Sequence, residues 1–175
     1  MLTLICLLLF IIFVFVLNYY LGNYNYETIS EPFPCGNATA KRRGIANKPT
    51  EEHLENLKDL AENIFQPIRE EFMCPIFISS GYRSEALNEA IGGSKTSQHS
   101  KGEALDLDAD VYGVITNADI FHYIEDSLNF DQLIWEFGTD ENPDWVHVSY
   151  KGEEKNRGQV LKAVRKGGRT SYEVI

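Results

Sequence analysis

Two histidines and an aspartate stand in a pattern that is typical of metal binding. His99 and Asp106 occur in the run Ser-x-His-x-x-Gly-x-Ala-x-Asp over residues 97–106, and His147 follows in Asp-Trp-Val-His. Neutral imidazole nitrogen and carboxylate oxygen are suitable zinc donors, and three protein ligands leave the fourth tetrahedral position open, as catalytic zinc sites do. The sequence therefore predicts one catalytic Zn2+ ion held by His99, Asp106 and His147.

Two further acids are candidates for proton transfer. Asp144 stands three residues before His147, and a carboxylate beside an activated water can accept its proton and return it to a leaving amine. We assign Asp144 as this base, although a straight strand would place it on the opposite face from His147, so the chain must bend after Pro143. Glu136, near the end of a predicted strand, is the competing acid, or it orients a ligand imidazole.

Arg83 is the candidate electrostatic group, within Ser-Gly-Tyr-Arg-Ser at residues 80–84. A guanidinium can bind a developing oxyanion or a terminal carboxylate through paired hydrogen bonds. The alternative is that Arg83 only braces the turn by pairing with Glu85 or Glu89. Ser97 and Gln98 are expected to line the pocket and position the substrate.

These residues resemble the family of the zinc D-alanyl-D-alanine carboxypeptidases and the phage L-alanyl-D-glutamate endopeptidases. The resemblance covers approximately residues 39–172 and includes Trp-Val-His-Val-Ser at 145–149 and Asn-Arg-Gly-Gln at 156–159. It implies the fold shared by these peptidases and Hedgehog domains. It also implies that the two histidines and Asp106 are zinc ligands, that the acid before the last histidine is the base, and that Arg83 lies near the scissile carbonyl or a substrate carboxylate.

The resemblance implies hydrolysis of peptide bonds in peptidoglycan stem peptides. Trimming of terminal D-Ala and internal cleavage, as in endolysins, both stay open, as do roles in cell-wall remodelling and phage lysis. The alternative is a noncatalytic zinc-containing module that binds the cell wall, because related folds can keep the metal and lose the base. Asp144 and Arg83 favour catalysis. A stem peptide is the expected partner, and we expect a monomer.

Hydrophobic spacing predicts an α+β domain with a small antiparallel sheet flanked by helices and the zinc site on the sheet. A helix should begin after Thr50, a suitable N-cap, and further helices are expected at 86–91 and 120–128. Residues 159–165 are expected to form a last short helix or turn. Strands are predicted at 76–78, 104–108, 132–137 and 145–150, the last two as a hairpin.

The N-terminal residues predict a membrane anchor. Within the segment 1–22, residues 2–17 are almost entirely apolar and no charged residue precedes Glu27. With residues 18–21 included, the segment approaches the roughly 20 residues that span a bilayer. No basic start or small-residue cleavage site is visible, so an uncleaved anchor is favoured over a removable signal. A linker at 23–38 and a zinc peptidase domain at 39–175 follow.

The orientation of this anchor has conflicting signals. The basic cluster at residues 41–43 would keep the domain in the cytoplasm by the positive-inside rule, whereas a cell-wall substrate requires the opposite. The cluster lies well beyond the hydrophobic edge, so we expect a membrane-anchored catalytic domain outside the cytoplasm. In that compartment Cys35 and Cys74 can pair if their geometry allows it.

The overall composition excludes other classes of protein. A hydrophobic content of 43% is ample for a packed core and excludes a disordered chain. The formal net charge of -10 repels polyanions, so no nucleic-acid partner is expected. Three cysteines form neither a disulfide framework nor a repeated metal-binding motif.

Overall fold

The computed structural model describes residues 34–175, with side chains from Thr39 onward. The predicted anchor at 1–22, the predicted linker up to residue 33 and the side chain of Cys35 lie outside these residues, so the anchor and the Cys35–Cys74 pairing stay predictions. Within the described part, no helix combines the length and the apolar character that crossing a membrane requires.

Four helical segments form the N-terminal part of the described domain. They are α1 (Pro34–Arg43), α2 (Glu51–Leu60), a π-helix (Ala61–Phe65) and α3 (Gln66–Phe72). Thr50 is the N-cap of α2, as predicted, because its side chain accepts from the backbone N–H of His53. Pro67 does not end the helical run: it falls in the first turn of α3, directly after the π-helix.

The rest of the described domain contains a six-stranded sheet and two further α-helices. Helix α4 (Glu85–Ala90) follows the first strand, and α5 (Asn117–Ser127) precedes the third. The strands run in the order β1-β2-β4-β3-β5-β6. Their bounds are β1 (Phe77–Ser80), β2 (Ala104–Asp108), β3 (Gln132–Glu136), β4 (Trp145–Ser149), β5 (Gln159–Lys166) and β6 (Arg169–Val174).

The sheet is mixed, which corrects the expected small antiparallel sheet. Strands β3 and β4 form the predicted antiparallel hairpin, but β5 pairs with β3 in parallel. The segment 150–158 leaves the end of β4, passes the start of β3 and enters β5 from that same end of the sheet, so β5 must run in the direction of β3. The helix or turn predicted at 159–165 is therefore wrong: this segment is the strand β5.

The two faces of the sheet have different surroundings. On one face, Leu105, Leu133, Trp135, Val146 and Val148 join the main hydrophobic core with apolar side chains of the helices. On the other face stand the side chains of alternate residues, which include Asp106, Glu136 and His147. The sheet thus separates the packed core from the face that carries the polar residues.

Candidate metal centre and active-site cavity

Three elements bring the predicted metal ligands together. Asp106 on β2 and His147 on β4 are direct partners in the antiparallel register, so their side chains leave the same face side by side. His99 lies in a 3-10 helix (Gln98–Lys101) that leads into β2. Gly102 ends this short helix with φ of 72°, a left-handed conformation that glycine adopts without steric cost.

The three donor atoms form a compact triangle. His99 Nε2 lies 3.2 Å from Asp106 Oδ1 and 3.2 Å from His147 Nδ1, and His147 Nδ1 lies 2.9 Å from Asp106 Oδ1. A tetrahedral zinc ion with bonds of roughly 2.0–2.1 Å separates its ligand atoms by about 3.3 Å. The spacing and the donor types therefore fit a zinc ion capping this triangle.

The hydrogen bonding of His99 prepares it for metal binding. Its Nδ1 lies 2.8 Å from the carbonyl oxygen of Gly81. A carbonyl only accepts, so Nδ1 carries the hydrogen and the lone pair of Nε2 points into the triangle. Burial lowers the pKa of His99 and favours its neutral, metal-binding form. Burial alone would raise the pKa of Asp106, but contact with His99 and His147 outweighs it and holds this pKa well below its usual range.

The triangle opens into a cavity of about 580 Å³ that also contains Glu136. Only 7% of Glu136 is exposed. It pairs with Trp145, two residues before His147 on β4, so its side chain leaves the same face of the sheet as that of His147. Burial is the main cause that raises the pKa of Glu136; His147 and Arg83 lower it, Asp106 raises it, and the net pKa is about 7. A carboxyl group with such a pKa can both accept and release a proton near neutral pH.

The structure does not bring Asp144 to this cavity. Its residue is exposed and is not among those that line the cavity. The backbone N–H of Asp144 donates to the carbonyl oxygen of Glu136 at 2.9 Å, directly before β4 begins at Trp145. With His147 and Trp145 directed into the cavity, alternation directs Asp144 to the other side.

Arg83 lines the cavity beside the ligands. Its backbone N–H donates to the carbonyl oxygen of His99 at 3.1 Å, which couples the Arg83 turn to the loop that carries His99. Among the ion pairs of the described residues, none joins Arg83 to Glu85 or Glu89. Its Nε is buried and has no hydrogen-bond partner in the described part of the chain, and Arg83 lines the cavity that contains the triangle.

Ser97 and Gln98 also line the cavity, but Gln98 has a second attachment. Its Nε2 donates to Asp131 Oδ2 at 2.8 Å. Asp131, whose side chain is fully buried, also accepts from Arg157 Nε at 2.8 Å and Nη2 at 2.6 Å, and Lys151 Nζ lies 3.2 Å away. This carboxylate ties the loop that carries His99 to the segment after β4.

Sequence reasoning missed two contributors to this region, Asp131 and Tyr172. Asp131 directly precedes β3, and an acid in that position is typical of a turn. Its partner Arg157 is 26 residues later in the sequence. Tyr172 lines the cavity from β6, a strand that was not predicted. The run Asn-Arg-Gly-Gln at 156–159 contains the partner Arg157, but the sequence alone assigned no role to this arginine.

Comparison with known proteins bears on the family of this chain. A search of curated proteins finds no match to the chain. The family model described as Peptidase M15 matches residues 31–149. This span is more than half of the chain and contains Arg83, Glu136 and the three residues of the triangle, but it ends before β5. The chain belongs to the Peptidase M15 family.

Proposed function

We propose that this peptidase is a zinc enzyme that hydrolyses a peptide bond in peptidoglycan stem peptides. The observation that carries the proposal is the triangle of His99 Nε2, Asp106 Oδ1 and His147 Nδ1, whose edges of 2.9–3.2 Å suit zinc, inside a cavity that also holds an acid and a guanidinium. Bound zinc supplies Lewis-acid activation of water and of a peptide carbonyl.

Glu136 is the general base in this proposal. It lies in the cavity with the triangle, and its carboxyl group takes the proton of the attacking water and later passes it to the leaving amine. Burial, opposed in part by His147 and Arg83, raises its pKa to about 7, well above that of an ordinary carboxyl group. Asp144 stays the sequence-based alternative, although its placement outside the cavity lining does not support this role.

Arg83 stabilises negative charge in the same proposal. Its guanidinium faces the cavity and contacts the oxygen of the scissile carbonyl as that oxygen becomes negative, or a substrate carboxylate. The backbone hydrogen bond from Arg83 to His99 joins the turn that carries the guanidinium to the loop that carries His99. A binding module that has lost catalysis has no need of an acid and a guanidinium in this arrangement.

The test is incubation of the zinc-reconstituted chain with synthetic stem pentapeptides, followed by mass spectrometry. Loss of the terminal D-Ala identifies a carboxypeptidase, and internal products identify an endopeptidase. His147→Ala should lose both zinc and hydrolysis, since a two-residue remnant holds the metal poorly. A wild-type chain with stoichiometric zinc and no cleaved product would contradict the proposal.

A further inference from the structure

One wall of the cavity comes from outside the stretch that matches the family. Leu161 on β5, with Thr170 and Tyr172 on β6, lines the same cavity as the triangle, yet the family match ends at residue 149. Strand β6 is the last strand of the sheet on this side. The β5–β6 hairpin is therefore a contribution of this chain to the cavity for which the proposed mechanism gives no role.

The strand register fixes how this wall faces the chemical groups. Ala163 on β5 pairs with Glu136 on one side and with Tyr172 on the other, so the three side chains form one row across the face of the sheet. Adjacent strands lie roughly 4.8 Å apart, which puts the backbone of Tyr172 about 10 Å from that of Glu136. Ala163 between them is only 1% exposed and packs with Ile134, Leu161 and Phe137, so Tyr172 lines the cavity from beyond this apolar cluster.

The floor beside this row is apolar. Ile134 pairs with His147 on one side and with Leu161 on the other, so the metal-binding face continues directly into two buried aliphatic side chains. These residues form a small hydrophobic cluster with Ala163, separate from the main core. A peptide that reaches the triangle can thus lie over an apolar surface that runs toward β6.

Tyr172 has the properties of a ligand contact at the far side of this surface. It is 53% exposed although it lines the cavity, and its hydroxyl makes no hydrogen bond within the described residues. Its phenol keeps its hydrogen at neutral pH, because the ordinary pKa of tyrosine is about 10. The side chain therefore offers an apolar ring and an O–H donor.

We infer that Tyr172 is a substrate-contacting residue that holds the peptide against Ile134 and Leu161. Its ring packs on the peptide, and its hydroxyl donates a hydrogen bond to a main-chain carbonyl oxygen of that peptide. This inference rests on the proposed function and deepens it, because it assigns a binding role to a hairpin beyond the family match. Tyr172 acts in binding and not in proton transfer.

The experiment compares Tyr172→Ala and Tyr172→Phe with the matched control Tyr112→Ala in hydrolysis of a stem pentapeptide. Tyr112 is a similarly exposed tyrosine that does not line the cavity. Tyr172→Ala should lower kcat/KM by about tenfold or more, chiefly through KM, since both ring and hydroxyl are lost. Tyr172→Phe, which loses one hydrogen bond, should lower it about threefold to tenfold. Tyr112→Ala should match the wild type.

A second readout does not depend on turnover. In zinc-loaded Glu136→Gln protein, titration calorimetry with the same pentapeptide should show Tyr172→Ala weakening the Kd by about tenfold or more. Zinc content should be equal in all variants. If Tyr172→Ala is poorly folded, Tyr172→Phe decides the question because it keeps the ring.

The outcomes separate the two proposals. A wild-type chain that binds zinc but cuts no stem peptide overturns the proposed function. If the wild type cuts the peptide and both Tyr172 variants keep its kcat/KM and Kd, the role of Tyr172 is overturned while the peptidase assignment stands.

Discussion

Glu136 owes its chemical character to its position in the sheet. It lies near the end of β3, faces the cavity and is almost fully buried, so its charged form lacks the solvation it has in water. The guanidinium of Arg83 and the imidazole of His147 oppose this effect, and the net result is a pKa of about 7. A carboxyl group of this kind suits proton transfer, whereas an exposed carboxyl such as that of Asp144 has no comparable environment.

Asp131 provides a test of how the site is supported. Although burial raises its pKa, hydrogen bonds from Arg157, Lys151 and Gln98 outweigh burial and lower the pKa to about 2. The folded pKa is below the ordinary value of 3.8, so the stabilisation is present above about pH 4 and is lost as the pH falls toward 2. Asp131→Asn should lower the free energy of unfolding by about 2 kcal/mol at pH 7.

The measurement is urea unfolding of the metal-free protein at several pH values. The wild type should lose stability between about pH 4 and pH 2 more steeply than Asp131→Asn does. Asp140→Asn is the matched control, because Asp140 also pairs with a lysine but its side chain is 89% exposed, where ion pairs contribute little. Equal pH dependence in wild type and Asp131→Asn would contradict the assignment.

The residues of the triangle could be predicted from the sequence because the type of each side chain suggests its role. The donor types of His99, Asp106 and His147 indicated a metal site before any geometry was known, and Arg83 stood in a turn that the structure places beside them. The choice between Glu136 and Asp144 was not predictable in this way. Both stand near strand ends, and only the pairing of β3 with β4 decides which one faces the cavity.

The element that carries His99 is held in place by helix α2. Asn56 Nδ2 donates to the carbonyl oxygen of Lys101 at 2.8 Å, and Gly102 packs closely on the backbone of His53. A methyl group on Gly102 would lie 2.4 Å from the His53 carbonyl oxygen, much closer than normal contact. The glycine of the His-x-x-Gly run is therefore required for conformation and for space.

Gly102→Ala should consequently destabilise the domain and displace the His99 loop. The control Gly113→Ala has a similar φ of +64° with nothing near its added methyl group, so it measures the backbone strain alone, about 1–2 kcal/mol. Gly102→Ala should cost about 1–3 kcal/mol beyond that control. Urea unfolding and zinc titration check both effects, and equal destabilisation by the two substitutions would rule out the His53 contact.

Element types were predictable where local signals were strong, as at the Thr50 N-cap and in the β3–β4 hairpin. Strand β5 was not, because in Gln-Val-Leu-Lys-Ala-Val-Arg-Lys apolar residues are adjacent as well as alternating, which fits a helix turn and a strand equally. Its buried residues Leu161 and Ala163 are explained only by β3 beside it and β6 beyond it. Pairing between strands that are distant in sequence cannot be predicted from the local sequence of either strand.

For the whole molecule, we propose that residues 1–22 anchor the peptidase in a membrane with the domain outside the cytoplasm. The support is the long apolar sequence before Glu27 and the location of peptidoglycan. The full chain should remain in the membrane fraction after an alkaline wash, and a chain starting at residue 23 should be released. Protease added outside intact cells stripped of their outer layers should digest the domain.

Recovery of the full chain in the soluble fraction would contradict the anchor. Protection of the domain from external protease would leave the anchor but reverse its orientation, as the basic residues at 41–43 indicate by the positive-inside rule. The two measurements therefore test attachment and topology separately.

The most direct test of the central claim compares Glu136→Gln with Asp144→Asn in zinc content and stem-peptide hydrolysis. Both substitutions keep side-chain size and remove the carboxylate. Both variants should bind one equivalent of zinc, because neither residue belongs to the triangle of His99, Asp106 and His147. Glu136→Gln should lose hydrolysis by about a hundredfold to ten-thousandfold, and Asp144→Asn should stay near the wild-type rate. Wild-type activity in zinc-loaded Glu136→Gln would contradict the assignment of Glu136 as the base. The contradiction would be strongest if Asp144→Asn were inactive in the same assay.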